Sequence, residues 1–121
     1  MAIHLVSIDR DGVVRLASQG DIDMQDVQDL QDNPFKRLLG EKWATYRVLL
    51  DLSASRTITS AGIGWLIASQ KQYKGAGGQF VVHSVQPNVQ QVLDLLKVHK
   101  AVPITTDETA ARQLITESPN G

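Results

Sequence analysis

The run Arg47-Val48-Leu49-Leu50-Asp51-Leu52 is apolar through its centre, on alternate and adjacent positions alike. A strand with one wet face alternates apolar and polar residues. A strand without that alternation is covered on both faces, as in a parallel or mixed sheet with helices packed against it. This segment therefore argues for an α/β fold, and the chain around it agrees. Ile3–Asp9 and Val13–Ala17 flank the turn dipeptide Asp11-Gly12 and read as a hairpin. Gly20 ends its second strand, and Asp21 and Asp23 offer capping oxygens for a following helix. Met24–Leu39 has a broadly helical spacing interrupted at Asn33-Pro34, which predicts a kink or two helices with Pro34 in the first turn of the second. After the central strand comes a polar loop, Ser53–Thr59. A helix follows from Ser60, with Ile63, Leu66, Ile67 and Gln70 on one side, ending at Gly75–Gly78. Gln79–Val85 reads as a strand, and Pro87–Leu96 as a helix with Val89, Val92, Leu93, Leu95 and Leu96 along it. Val102-Pro103-Ile104 is a last edge strand, and Asp107–Thr116 a terminal helix with Ala110, Ala111, Leu114 and Ile115 inward. The expected order is β-β-α-β-α-β-α-β-α: one mixed sheet in a single layer, with about four helices mainly on one face.

At 121 residues, 42% of them hydrophobic and 21% charged, the chain has the size and balance of one globular domain. Residues 1–121 are taken as that single domain, with 117–121 as a frayed tail. Twelve basic against thirteen acidic side chains give a net charge of −1. That argues against nucleic acid or an anionic membrane surface as the partner. There is no cysteine, so thiolate metal sites, disulfides and cysteine nucleophiles are excluded. No apolar run reaches the roughly 20 residues of a spanning helix. Met1-Ala2-Ile3-His4 does not open a secretion signal, so the expectation is a cytoplasmic protein without membrane insertion. His4, His83 and His99 share no ligand spacing, and surface or strand positions are expected for them. No metal or other cofactor is expected. Asp21 and Asp23 lack a nearby nucleophile, so capping is favoured over acid–base work.

The ordered set Leu49-Leu50-Asp51-Leu52-Ser53, Ser60-Ala61-Gly62-Ile63-Gly64, Gly77-Gly78-Gln79-Phe80-Val81-Val82 and Pro87–Leu96, with Gly20-Asp21-Ile22-Asp23 before it, resembles the STAS domain of bacterial anti-sigma factor antagonists. The resemblance covers nearly the whole chain. It implies a non-enzymatic, protein-binding module of transcription regulation whose partner is a serine-kinase anti-sigma factor. In that family the kinase phosphorylates a Ser or Thr at the start of the second main helix, and the complex weakens.

This chain departs from the family there. Thr59, Ser60, Ala61 and Gly62 stand where the family reads Asp-Ser-Ser-Gly or Asp-Ser-Thr-Gly, so Ala61 replaces the usual acceptor and Thr59 the carboxylate. Ser60 is either a shifted phosphosite or, the favoured reading, a helix N-cap; Thr59 has a similar cap reading. Gly62 and Gly64 complete no nucleotide fingerprint, and close packing of the helix start accounts for them better. Asp51 either orients the Ser53–Thr59 loop or makes a plain loop hydrogen bond. Trp65 lies one turn beyond Ala61, as an interface anchor or as a core ring. The expected contact surface comprises Asp21, Asp23, Ser60, Ala61, Gly64 and Trp65. Two functions remain open: an anti-sigma factor antagonist, or a non-phosphorylatable STAS scaffold subunit of a larger complex or of a lipid-transport ATPase.

Overall fold

The computed structural model describes residues 2–22 and 33–117. In chain order these form β1 (Ala2–Ile8), β2 (Val13–Gln19), α1 (Pro34–Leu39), β3 (Arg47–Ala54), α2 (Ser60–Ala76), β4 (Gln79–His83), α3 (Pro87–Leu95), β5 (Ile104–Thr105) and α4 (Glu108–Glu117). The sheet runs β1-β2-β3-β4-β5, antiparallel between β1 and β2 and parallel elsewhere. It is the mixed sheet expected, with the expected order of elements.

Burial follows from the apolar runs. In β2, β3 and β4, the side chains Val14, Leu16, Val48, Leu50, Leu52, Phe80 and Val82 enter the main core, which Leu66 and Tyr73 of α2 and Val89 and Leu93 of α3 complete. The alternate residues Val13, Leu49 and Val81 form a smaller core on the opposite face with Ala111 and Ile115 of α4. So α1, α2 and α3 take one face and α4 the other, and β3 is covered twice, as its sequence requires. An ion-pair network ties α4 to the hairpin: Arg15 to Glu108 at 2.9 Å, and Arg112 to Glu108 and Asp9.

Several helix faces differ from the periodicity reading. In α2 the deepest residues are Gly62, Leu66, Ser69 and Tyr73, while Ile63, Ile67 and Gln70 are only half-buried. The reason is the aromatic cluster under α2, in which Tyr73 stacks on Phe80 (5.3 Å) and the helix turns that side inward. In α3 the inward residues are Val89 and Leu93, whereas Leu95 is 78% exposed and Leu96 58%. In α4, among the residues whose side chains are described, Ala111 and Ile115 are buried, with Leu114 at the surface. His83 takes a strand position, as expected, at the end of β4 on the face it shares with Val81 and α4, and there it is buried, 3% exposed. Of the helical stretch expected over Met24–Leu39, Pro34–Leu39 is the described part. Asn33 caps it, accepting from Phe35 N at 2.9 Å, with Pro34 in the first turn. Asp21 is described and exposed, but Asp23 and the stretch the two were expected to cap lie outside the described residues, and so does the tail at 118–121.

Trp65 belongs to the aromatic cluster. Phe35, fully buried, stacks with both Trp65 (5.3 Å, 6°) and Trp43 (5.6 Å, 11°), and meets Tyr73 and Phe80 edge-on. The Trp65 ring is therefore half-buried and packed on the core rather than free. Trp65→Ala is expected to lower unfolding free energy by about 2 kcal/mol, below the ~3–5 kcal/mol of a fully enclosed ring. A denaturant melt checks this, and a change under ~0.5 kcal/mol would mean the stack contributes nothing.

The buried His83 gives a pH signature. Desolvation lowers its pKa from the ordinary 6.5, with Asp51, Glu108 and Asp107 opposing and Arg15 assisting. The folded state thus binds fewer protons than the unfolded one. Its contribution to stability is fully present above pH 6.5 and is lost as the pH falls from there through the folded value. Melts between pH 7.5 and 5 are expected to show falling stability, with a flatter profile in His83→Gln.

Candidate functional site

The site lies at the carboxyl ends of β2 and β3, where the chain must leave the sheet and start α2. Gly20, with φ 85, turns the chain out of β2, and Ile22 then pairs with Ile58 in an isolated parallel bridge. Ile22 N donates to Thr57 O at 2.9 Å, and Thr59 N donates to Ile22 O at 3.0 Å. Below them, the hydroxyls of Ser18 and Ser55, both buried, lie 3.2 Å apart. A buried hydroxyl needs a partner, and each supplies the other's. β3 runs on to Ala54, so the expected Ser53–Thr59 loop begins at Ser55, and it is held as a shelf against the segment after β2.

The N-cap of α2 is Thr59, not Ser60. Thr59 has extended backbone angles, its Oγ1 accepts from Gly62 N at 3.1 Å, and the same hydroxyl donates to Ile22 O at 3.3 Å. Ser60 is the first helical residue and is exposed. The cap went to Thr59 because its hydroxyl alone is placed to reach both the Gly62 amide and the Ile22 carbonyl. Ala61 and Gly64 are exposed beside Ser60 on the first turns, and Asp21 is exposed next to Ile22 on the segment after β2. These four residues share the open end of the molecule. Trp65 departs from them, since its ring turns towards Phe35. Asp23 lies outside the described residues.

Gly62 is buried, and a Cβ on it would stand 2.3 Å from Ile22 O and 2.9 Å from Ile22 Cγ2. Only a residue without a side chain lets α2 approach this closely. Gly64 has open space around it. Asp51 fills the two roles weighed for it at once: its Oδ1 accepts from Ser53 N at 2.7 Å, which orients the loop through a plain hydrogen bond. The Ser18–Ser55 pair gave no signal in the sequence, because two serines 37 positions apart carry no spacing rule. Among the described residues no three His, Asp or Glu side chains group as a metal would need, and no helix is long and apolar enough to cross a membrane. The same substitution two residues apart is expected to act with opposite sign. Gly62→Ala must displace the Ile22 backbone and cost about 1–3 kcal/mol, while Gly64→Ala is neutral or stabilises by up to ~1 kcal/mol. Thermal melts of the two variants check this, and equal effects would remove the close approach from the account.

The comparisons agree with this architecture. A family model described as "Mlab, STAS domain" matches residues 5–106. A candidate anti-sigma factor antagonist from Thermotoga maritima is similar at 22% identity, over 95% of this chain and 93% of its own, with a TM-score of 0.75. An anti-sigma factor antagonist from Mycobacterium paratuberculosis is similar at 21% identity, over 95% of both chains, with a TM-score of 0.72. Murine Solute Carrier 26 family member A9, an anion transporter, matches 88% of this chain with 18% of its own, at 14% identity and a TM-score of 0.68. These identities speak for the shared fold. The family match spans most of the chain, from β1 through β5, and on that ground the protein belongs to the STAS domain family.

Proposed function

We propose that the chain is a protein-binding regulatory module of the anti-sigma factor antagonist type. Its partner is a serine-kinase anti-sigma factor, and the complex forms without phosphorylation control at the family position. The observation that carries this reading is the exposed, hydroxyl-free Ala61 on the first turn of α2, set on a shelf that Thr59, Gly62 and Ile22 hold rigid. A rigid, exposed helix start suits recognition, since little order has to be gained on binding. Thr59 is a poor substitute acceptor because its hydroxyl is engaged on both sides. Ser60 has an exposed side chain and is the residue to watch. The contact surface comprises Asp21, Ser60, Ala61 and Gly64, with Asp23 assigned to it from the sequence and Trp65 as its packed foundation. The reading assigns the domain no catalytic step, no metal and no cofactor, and places it in the bacterial cytoplasm.

A second reading is a non-phosphorylatable STAS scaffold subunit of a larger complex or of a lipid-transport ATPase. The transporter match favours it, since there the same fold occupies a small part of a much longer chain. Capture from native lysate with the tagged chain, followed by identification of the bound proteins, separates the two: a kinase-type partner supports the first, transport subunits the second. With the partner in hand, Ala61→Asp is expected to weaken binding by about 1–3 kcal/mol, through a carboxylate desolvated at the interface. Calorimetric titration of both forms checks it. Unchanged affinity would place the interface elsewhere, and stoichiometric labelling of Ser60 by the kinase with ATP would overturn the phosphorylation-free reading.

A further inference from the structure

The connection from β4 to α3 breaks a local rule. α3 starts at Pro87, which puts Gln86 at its N-cap. Ser, Thr, Asp and Asn are the side chains that accept from first-turn amides at that place, and Gln86 makes no capping hydrogen bond. Its amide leaves the helix instead, and Nε2 donates to the carbonyl of Ser53 at the far end of β3. The residues before it set this direction. Ser84 has φ 59, a left-handed backbone that a serine seldom adopts, and its hydroxyl lies 2.8 Å from Nδ1 of the buried His83. The chain thus holds a strained turn and an uncapped helix, and the bond to Ser53 is what this arrangement makes.

Ser53 is the penultimate residue of β3, just before the loop that delivers Thr59, Ser60 and Ala61. Its N–H is held by Asp51 and its carbonyl by Gln86, so both of its polar backbone groups end on side chains. The other flank of that loop is tied by backbone bonds, from Gly20 N to Ala54 O, from Ile22 N to Thr57 O and from Thr59 N to Ile22 O. Local rules that are broken without local compensation are expected where function requires the geometry.

We propose that Gln86 is a positioning residue for the partner surface: its amide fixes the Ser53 end of the loop that presents Thr59, Ser60 and Ala61, in place of capping α3. This rests on the reading of that surface as protein-binding.

The test uses Gln86→Ser, which supplies a cap but cannot reach Ser53, and Gln86→Met, which keeps the shape and loses the donor. Gln86→Ser is expected to match or exceed the native chain in a denaturant melt. In both variants the amides of Ser55 and Thr59 are expected to exchange hydrogen about five- to tenfold faster, as the loss of one tie allows. Affinity for the partner captured by the native chain is expected to fall by a similar factor. Unchanged exchange in both variants overturns the proposal. So does a Gln86→Ser chain less stable than the native one, since Gln86 would then serve the fold itself. Faster exchange with undiminished affinity also overturns it. If the native chain captures no partner, the reading of the surface fails, and the exchange rates still decide whether Gln86 holds the loop.

Discussion

The first turn of α2 can stand where it does because residue 62 has no side chain. A Cβ there would press to 2.3 Å from the Ile22 carbonyl, which already accepts from both the amide and the hydroxyl of Thr59. One carbonyl on the segment after β2 thus locates the helix start, the loop before it and the exposed residues just after it. The helix beyond inherits its line from this contact. Leu66, Ser69 and Tyr73 fall inward at successive turns, and Trp65 reaches the Phe35 stack. Surface and core are consequently coupled: a change that moves the α2 start also disturbs the aromatic cluster.

Much of the fold was legible in the sequence because its signals are local. The apolar run in β3, the Asp11-Gly12 turn, Pro34 and Pro87 at helix starts and Gly77 at the α2 C-terminus each act within a few residues, and each element lies where they place it. What stayed hidden depends on contacts between distant residues. The inward face of α2 departs from its periodicity because Tyr73 is drawn in by Phe80 and Phe35, from other elements. For the cap of α2 the sequence offers both Ser60 and Thr59, and residue type alone leans towards Ser60. Only the position of the Ile22 carbonyl distinguishes Thr59. The strand face of His83 carries no sequence signal, since a histidine suits either face, and the packing of α4 decides its burial.

The candidate site shows the same division. Thr59-Ser60-Ala61-Gly62 could be located from the sequence, and the role of Gly62 in close packing was readable from residue type. The Ser18–Ser55 hydroxyl pair and the reach of Gln86 to Ser53 were not, because each joins residues more than 30 positions apart. Gln86 did leave one trace, a residue that seldom caps standing just before a helix-starting proline. Such a mismatch is a useful signal, since a side chain that does not serve its own helix is free to serve something else.

The central claim is that the end of the molecule carrying Asp21, Ser60, Ala61 and Gly64 is the surface a partner covers. NMR cross-saturation from the unlabelled partner to the labelled chain reads this directly. The account predicts strong attenuation at the amides of those four residues, and none at the opposite end of the sheet, at Asp11 and Gly12 or at Leu95 to Lys100. Attenuation centred on the exposed Leu95 and Leu96, with Ser60 and Ala61 unaffected, would contradict it.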